Sequence, residues 1–309
     1  MENPTGLLLV DKPAGWTSHD VVAKVRRLLN SRKVGHAGTL DPMATGLLVL
    51  GVGGATKLLT YLVGADKTYL ATIRLGAATV TDDAESDYLH QASPTELELF
   101  DRPQIEAAIA KLRGTIEQIP SSVSAIKVAG RRAYDLVRAG QDVELKSRSV
   151  TISRFELINE PVRVGANKFL DLEVAVDCSS GTYIRALARD LGASLGVGGH
   201  LTALRRTRIG NFELSSGTAM TEQQFSGENA RERLIPLAVA ASGLFETTTL
   251  NASQITDLRH GKTLDSVSGS PDSTGLIAAL SEAGDLVAIL KVDGPKVRSQ
   301  VIFNEASND

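Results

Sequence analysis

The sequence of 309 residues lacks several features that would place it outside the cytoplasm. A single cysteine, Cys178, allows no disulfide bond within the chain, which fits a reducing compartment. No apolar run approaches the ~20 residues that span a bilayer. The N-terminal stretch "MENPTGLLLVDKP" has no basic region and only a short apolar run, which is not typical of a secretory signal peptide. We therefore expect a cytoplasmic protein without a membrane segment.

Aromatic residues are also scarce, at 4% of the chain, so Leu, Val, Ile and Ala must fill the core. The hydrophobic share of 42% and the charged share of 22% are ordinary for a soluble globular protein. The length exceeds that of one typical domain. It allows either a large domain with a small one or two comparable domains.

The net charge of −3 argues weakly against a nucleic-acid partner, but the charges are unevenly distributed. Lys and Arg outnumber Asp and Glu by seven to four in residues 1–60, nine to four in 111–154 and five to one in 181–210. Acidic residues prevail by eight to one in 81–106 and by thirteen to seven in 211–309. Such runs are most often solvated surface. The alternative is a basic face on an acidic body, which would attract a phosphate backbone.

Strand and helix signals are mixed without a regular β-α-β rhythm. Thr17 followed by Asp20 resembles a capping box, and apolar residues continue at helical spacing to about Asn30. Residues 77–100 indicate an acidic loop region, and 203–214 a basic turn that leads into a strand. We expect an α+β fold with a mixed, mostly antiparallel sheet. Further strands are predicted at 6–10, 47–52, 68–76, 149–158 and 169–180, and helices at 104–113 and 182–196.

The composition changes after about residue 235. Beyond it, runs such as "GLFETTTL" and "GDLVAILKVDG" indicate short strands, with one short helix among them. The sequence therefore predicts a large domain over 1–235 and a small β-rich domain over 236–309.

Three familiar kinds of site find no support in the sequence. "GVGGATK" (51–57) lacks the Gly-Lys-Ser/Thr step of a phosphate-binding P-loop, and a tight turn after a strand is the better interpretation. The five histidines are scattered at spacings unlike those of a metal site. Cys178 has no His partner in a motif and is interpreted as a small buried hydrophobe. We expect no metal centre.

One isolated carboxylate stands in the bend "GHAGTLDPMATG" (35–46), where Asp41 precedes Pro42. Because Asp and Pro both favour turns, Asp41 taken alone could be a turn residue. The functional alternative is a carboxylate held by a stiff glycine-containing loop at a sheet edge, where it could act as a nucleophile or a base. The residues alone leave both interpretations open.

Six segments together resemble the motifs of one family, the bacterial tRNA pseudouridine-55 synthases of the TruB family. They occur in the family's order and cover about residues 6–214. The segments are "GLLLVDKPAGWTSHDVV", "GHAGTLDPMATGLLVLGVGGATK", "DKTYLATIRLG", "PSSVSAIKVAGRRAYDLVRAG", "CSSGTYIRALARDLG" and "HLTALRRTRIGNF".

This resemblance implies a catalytic domain of the pseudouridine-synthase type, an RNA-gripping insertion at about 115–147 and a small PUA-like RNA-binding domain at 236–309. It implies that the protein flips out a uridine in the T arm of tRNA, at position 55, and isomerises it to pseudouridine. The family detaches uracil from its ribose, turns it and rejoins it through carbon, without a cofactor or a metal. The expected partner is tRNA, without a guide RNA, and the protein is expected to act as a monomer.

The resemblance also implies roles for three catalytic residues. Asp41 matches the aspartate that attacks the target uridine. Tyr69, in "DKTY", matches the tyrosine that stacks on the flipped uracil, where it could help to move the proton from carbon 5. Arg185, in "GTYIR", matches the arginine that pairs with the aspartate and would keep it ionised.

Other positions are expected to bind the substrate. By resemblance, Tyr183 and Leu204 line the pocket, and His36 contacts the displaced RNA segment. The basic character of the insertion makes its cations candidates for contacts with the RNA backbone. Those candidates are Lys127, Arg131 and Arg132.

Without the family, two interpretations stay open for each residue: Tyr69 could be ordinary packing on a half-buried strand, and Arg185 could be an exposed helix arginine. Three functions are weighed: an RNA-modifying isomerase, a tRNA-binding or folding factor whose chemistry is incidental, and a phosphate-binding metabolic enzyme built on the glycine loops. The absence of a P-loop disfavours the third. The presence of Asp41, Tyr69 and Arg185 together favours the isomerase, because a pure binding protein has no need of them.

Overall fold

A computed structural model describes residues 3–303, except 122–126, 129–130, 133–144, 215–216, 270, 273 and 295. The chain forms two compact units. The first unit consists of Met1–Pro42, Gly46–Val63 and Gly210–Asp309, and the second of Met43–Thr45 and Gly64–Ile209. Within the described residues, no helix is long and apolar enough to cross a membrane.

Strands and helices alternate irregularly along the described residues. The strands are β1 (Gly6–Lys12), β2 (Val34–His36), β3 (Thr45–Val52), β4 (Lys67–Leu75), β5 (Ala77–Thr79), β6 (Tyr88–Gln91), β7 (Gly114–Gln118), β8 (Lys127–Val128), β9 (Arg131–Arg132), β10 (Arg148–Leu157), β11 (Val162–Val164), β12 (Phe169–Cys178), β13 (Gly199–Ile209), β14 (Phe212–Glu213), β15 (Thr247–Leu250), β16 (Leu276–Ser281), β17 (Leu286–Asp293) and β18 (Lys296–Ile302). The α-helices are α1 (Ser18–Leu29), α2 (Leu59–Val63), α3 (Pro94–Leu97), α4 (Arg102–Ala110), α5 (Ile184–Ser194), α6 (Gly227–Glu232), α7 (Leu237–Ser242) and α8 (Ala252–Arg259). Two 3₁₀ helices span Gly53–Leu58 and Glu222–Gln224.

In the first unit, helix α1 packs its apolar face against the β1–β3 strands. The helix begins at the Thr17–Asp20 capping box and ends at Asn30, whose φ of 50° is left-handed. β1 and β2 both pair antiparallel with β3. The core of this region is built from aliphatic side chains of the helix and the strands, among them Val21, Val25, Leu29, Leu8, Val10, Leu48 and Leu50. This core supports the turn between β1 and α1 and the loop between β2 and β3.

The C-terminal part of the first unit has its own small sheet in the order β15-β16-β17-β18. β15 and β16 are parallel, and the other two pairings are antiparallel. Helix α8 contributes Leu258 to a separate apolar core with Leu250, Ile277, Leu290 and Val297. A β-rich C-terminal region is thus confirmed, although two helices, α7 and α8, lie beyond residue 235 where one was predicted. Its predicted boundary at 235/236 and its likeness to a PUA domain stay predictions.

In the second unit, the strands follow the order β13-β4-β12-β10-β7, and each neighbouring pair is antiparallel. Burial alternates along the central strand β4, as is usual when the two sheet faces differ in their exposure to solvent. Helix α5 packs on β13. The expected α+β fold with a mixed, mostly antiparallel sheet is confirmed.

Two local predictions were wrong. Residues 203–209 are not a basic turn, because they continue the long strand β13 (Gly199–Ile209), which has register shifts at Leu201/Ala203 and Arg206/Arg208. Pairing along almost the whole length of β4 overrides the local turn signal. The acidic region 77–100 is not all loop, since it contains β5, β6 and α3.

Candidate active site

Asp41 lies in the loop between β2 and β3. The residue before it is hydrogen-bonded to the first residue of α1, and the residue after it to the turn that precedes α1. The Leu40 N–H donates to Ser18 Oγ at 2.9 Å, and that hydroxyl lies 3.3 Å from the Leu40 carbonyl oxygen. The Pro42 carbonyl accepts the Gly15 N–H at 2.9 Å. The main chain is therefore held immediately before and after the half-buried Asp41.

Lys12 reinforces this loop from inside the protein. The residue is fully buried, and its ammonium group donates to the carbonyls of Pro13 at 2.9 Å, Trp16 at 2.6 Å and Pro42 at 3.3 Å. A buried charge is tolerated when hydrogen bonds replace its water. The contributions of Lys12 and Ser18 were not predicted from the sequence, although both residues lie in the first of the six segments.

His36 is the last residue of β2 and belongs to the same unit as Asp41. It is half-buried, and its ring meets that of His19 edge-on, with ring centroids 5.7 Å apart. The structure therefore places His36 near the start of the Asp41 loop. Its predicted contact with RNA stays a prediction.

Tyr69 and Leu204 lie on neighbouring strands of the second unit. Tyr69, on β4, is opposite Arg206 on β13, and Leu204 is opposite Ala71. Directly opposite residues in an antiparallel pair point to the same face, so Tyr69 and Leu204 are diagonal neighbours on one face. Both are buried, at 7% and 8% exposure. The structure thus brings these two predicted pocket residues together.

Arg185, in the first turn of α5, is not an exposed helix arginine, since it is only 6% exposed. Its guanidinium donates to the Thr81 carbonyl at 2.9 Å and lies 3.3 Å from a carboxylate oxygen of Asp83. Asp83 is itself 2% exposed. A buried charge needs such a partner. The predicted pairing of Arg185 with Asp41 stays a prediction, and Asp83 was not predicted from the sequence.

Tyr183 immediately precedes α5 and is half-buried. The Arg148 guanidinium lies 5.5 Å from the centre of its ring, within the range of a cation–π contact. Tyr183 and Arg185 therefore lie two residues apart at the start of one helix, in the same unit as Tyr69 and Leu204.

The proposed phosphate-binding residues lie in the predicted insertion, most of which falls outside the described residues. The backbone of Lys127 pairs with that of Arg132 in the short β8–β9 hairpin, and Arg131 pairs with Val128. Their side chains are outside the described part of the structure. Their contacts with RNA stay predictions.

Burial sets the chemistry of two further groups on the central strands. Burial raises the pKa of the Cys178 thiol to about 11, so the thiol stays protonated at neutral pH. Burial, with the neighbouring Arg206, lowers the pKa of Lys67 to about 8. Cys178 thus behaves as the small buried hydrophobe expected. Among the described residues, no cluster of three or more His, Cys, Asp or Glu side chains could hold a metal ion.

Comparison with known proteins identifies the family. The model of the TruB family pseudouridylate synthase N-terminal domain matches residues 26–184, and that of the tRNA pseudouridylate synthase B C-terminal domain matches 185–236. A tRNA pseudouridine synthase B of Leifsonia xyli subsp. xyli (strain CTCB07) is 54% identical over 299 residues, which cover 97% of this chain and 96% of the relative. A protein of the same name from Mycobacterium avium (strain 104) is 49% identical over 312 residues, which cover 99% and 98%.

A solved structure shares the fold over nearly the whole chain. The crystal structure of a Cbf5-Nop10-Gar1 complex contains a chain that is 26% identical, with a TM-score of 0.73, over 99% of this chain and 87% of that one. The likeness agrees with the α+β architecture described above. Together, the family models and the full-length relatives show that the chain belongs to the TruB family of pseudouridylate synthases.

Proposed function

We propose that the protein isomerises the uridine at position 55, in the T arm of tRNA, to pseudouridine, with Asp41 as the essential carboxylate. The observation that carries this proposal is the Asp41 loop. The carboxylate lies in a segment that resembles the family's catalytic signature. The residue before it is hydrogen-bonded to Ser18 at the start of α1, and the residue after it to Gly15 in the turn before that helix. Such restraint is what a reacting group needs and what an ordinary surface turn does not.

The reaction is an isomerisation, so no atoms are gained or lost overall. The bond between the ribose C1′ and uracil N1 breaks, the base turns, and C1′ bonds to carbon 5. The proton on carbon 5 is removed and N1 gains one. A carboxylate next to the sugar can stabilise or trap an oxocarbenium-like species. The proposal therefore needs an ionised Asp41 and no cofactor, whether the carboxylate adds to the sugar, adds to the base or removes a sugar proton.

The other site residues would bind the flipped base and keep the Asp41 carboxylate ionised. A base in a folded loop must leave its stack before it can react, and pocket contacts repay the cost of a few kcal/mol. The buried ring of Tyr69 and the side chain of Leu204, which share one face of the sheet, would contact the uracil. Arg185 would hold Asp41 ionised, and Tyr183 would complete the pocket.

Recognition of the tRNA would be electrostatic and based on shape. The basic segments 111–154 and 181–210 would contact the phosphate backbone, with Lys127, Arg131 and Arg132 as the candidate cations and His36 at the displaced strand. We propose that the protein acts as a monomer in the cytoplasm, without a guide RNA, and that residues 236–309 assist binding only.

The test is a single-turnover measurement with purified protein in excess over a tRNA transcript and no other RNA. Pseudouridine is detected by chemical labelling and primer extension. Wild-type protein should modify position 55 alone. Asp41→Asn is nearly isosteric and should bind the tRNA normally without forming pseudouridine. Asp41→Glu should also fail, since moving a reacting group by about 1 Å can cost about a hundredfold in rate.

A tRNA-binding or folding factor would give a different result. Wild-type protein would then bind tRNA and leave every uridine unmodified. Turnover by Asp41→Asn at even about a hundredth of the wild-type rate, a loss of only ~2.7 kcal/mol in transition-state stabilisation, would contradict the role of Asp41.

A further inference from the structure

Gln118, the last residue of β7, is fully buried and grips the main chain of Tyr183 with both ends of its side-chain amide. Its Nε2 donates to the Tyr183 carbonyl at 3.1 Å, and its Oε1 accepts the Tyr183 N–H at 2.8 Å. The two residues are 65 positions apart in the chain. One side chain therefore satisfies both backbone groups of a residue proposed to line the pocket.

The position of this contact matters because Tyr183 occupies the N-cap of α5. The side chain of Tyr183 makes no capping hydrogen bond to this helix. The first N–H groups of a helix have no partner within it, so other groups must fix its start. Gln118 supplies such a group from a neighbouring strand. Arg185 is the second residue of the helix, so its direction depends on where the helix begins.

Ile119, which follows Gln118 in the chain, makes a second contact with the same helix. Arg189, one turn after Arg185, donates to the Ile119 carbonyl at 2.7 Å and lies 3.3 Å from a carboxylate oxygen of Asp82. The pair Arg185–Asp83 and the pair Arg189–Asp82 thus lie one turn apart. The end of β7 is joined to α5 at its start, through Gln118, and one turn further on, through Arg189.

We propose that Gln118 is a positioning residue for pseudouridine formation, which sets the start of α5 and thereby the geometry of Tyr183 and Arg185. This inference rests on the function proposed above. Gln118 is fully buried and would act through Tyr183 and Arg185, so its loss should slow the chemical step and leave tRNA affinity nearly unchanged. A purely structural role would instead lower the stability without a specific effect on the rate.

The primary variant is Gln118→Met, which nearly keeps the side-chain volume but removes both hydrogen bonds. We expect its single-turnover rate to fall by about tenfold or more, because a small misplacement of site groups is costly. The tRNA dissociation constant should stay within about twofold of wild type, since uniform binding is not affected. The control for the substitution itself is Gln104→Met, at an exposed position. Gln104 accepts the Asp101 N–H at 2.7 Å at the start of α4 and has no proposed role in the site.

A double-mutant cycle with Arg185→Lys identifies the route of the effect. If Gln118 acts by directing Arg185 and its neighbours, Gln118→Met should slow the wild-type background strongly and the Arg185→Lys background little. If the role of Gln118 were purely structural, the fold-losses in rate of the two single variants would multiply in the double variant. An unchanged rate in Gln118→Met, independent losses in the cycle, or an equal loss in Gln104→Met would each overturn the inference.

Gln118→Glu tests the same contact through the pH dependence of its rate. It also serves as the second variant if Gln118→Met does not fold. A protonated carboxyl can donate and accept like the amide, whereas the ionised form cannot donate to the Tyr183 carbonyl. Burial should raise the pKa of the introduced carboxyl. The rate of Gln118→Glu relative to wild type should therefore rise as the pH falls from about 8 to about 6. A ratio that does not change with pH would contradict the inference.

Failure of the inference and failure of the proposed function give different results. If Arg185→Lys or Asp41→Asn turns over like wild type, the site assignment itself is wrong. If both are impaired while Gln118→Met is not, only the positioning role of Gln118 is wrong.

Discussion

The hydroxyl of Ser18 lies 2.9 Å from the main-chain nitrogen of Leu40, the residue immediately before Asp41. Ser18 is fully buried and lies 22 positions from Leu40 in the chain. A buried N–H that loses such a partner costs about 1–3 kcal/mol. The contact therefore restrains the loop at the point where the proposed reaction takes place.

We expect Ser18→Ala to slow single-turnover pseudouridine formation by about tenfold or more, because the Asp41 loop loses its fixed geometry. The unfolding free energy should fall by about 1–3 kcal/mol. Thr56→Val is the control, since Thr56 donates to the Gly53 carbonyl at 2.8 Å within the same unit. A similar loss of stability with an unchanged rate in both variants would show that Ser18 does not position Asp41.

Removing the carboxylate that pairs with Arg185 should be costly for stability. Asp83→Ala leaves a buried guanidinium without this partner, which typically costs about 3–5 kcal/mol. Denaturant unfolding measures the change. Asp177→Ala is the comparison, because Asp177 is more exposed, at 26% of its side chain, and lies 3.9 Å from Arg154, itself 45% exposed. If Asp83→Ala and Asp177→Ala lost equal unfolding free energy, the burial of the Arg185–Asp83 pair would not explain the cost.

Tyr69 offers two separable groups, a ring and a hydroxyl. Tyr69→Phe keeps the ring, so tRNA binding should be normal, and turnover should be slow if the hydroxyl relays the proton from carbon 5. Tyr69→Leu should lose stacking as well, at about 1–3 kcal/mol. Binding and single-turnover rates distinguish the two effects. Near-wild-type turnover in the Phe variant would limit Tyr69 to stacking and packing.

The salt dependence of tRNA binding locates the basic contacts. Replacing Arg131 and Arg132 by Ala should weaken binding and reduce the slope of log affinity against log salt, by roughly 0.7 for each lost single-strand contact. Titrations at several salt concentrations give the slope. An unchanged slope would place the phosphate contacts outside the β8–β9 hairpin.

Lys67 should make stability depend on pH in a predictable direction. It is 7% exposed, and burial lowers its pKa from 10.5 to about 8. The unfolded chain therefore binds more protons between about pH 8 and 10.5, and the folded state gains stability as the pH rises through that range.

The matched variant is Lys67→Met, which removes the buried charge and keeps an unbranched side chain. It should be more stable than wild type at pH 7, by on the order of 2 kcal/mol. The difference should shrink as the pH rises past 8. Urea unfolding of both proteins across this range measures it. If the difference in unfolding free energy did not change with pH, burial would not disfavour the charged form of Lys67.

Local signals in the sequence were enough to predict several helices and strands. Thr17 and Asp20, three residues apart, specify the start of α1, and the alternation in β4 specifies a strand with two unlike faces. These signals are readable because capping and side-chain periodicity act within a few residues. The segment around Asp41 indicated the chemistry through its resemblance to a family.

The packing of distant elements, in contrast, decides what holds those groups. Ser18 reaches Leu40 across 22 positions, Gln118 reaches Tyr183 across 65, and Asp83 reaches Arg185 across 102. No periodicity or propensity marks such pairs, since each depends on how distant strands and helices pack. Long-range packing also explains residues 203–209. Their local composition predicts a turn, but pairing with β4 makes them part of strand β13.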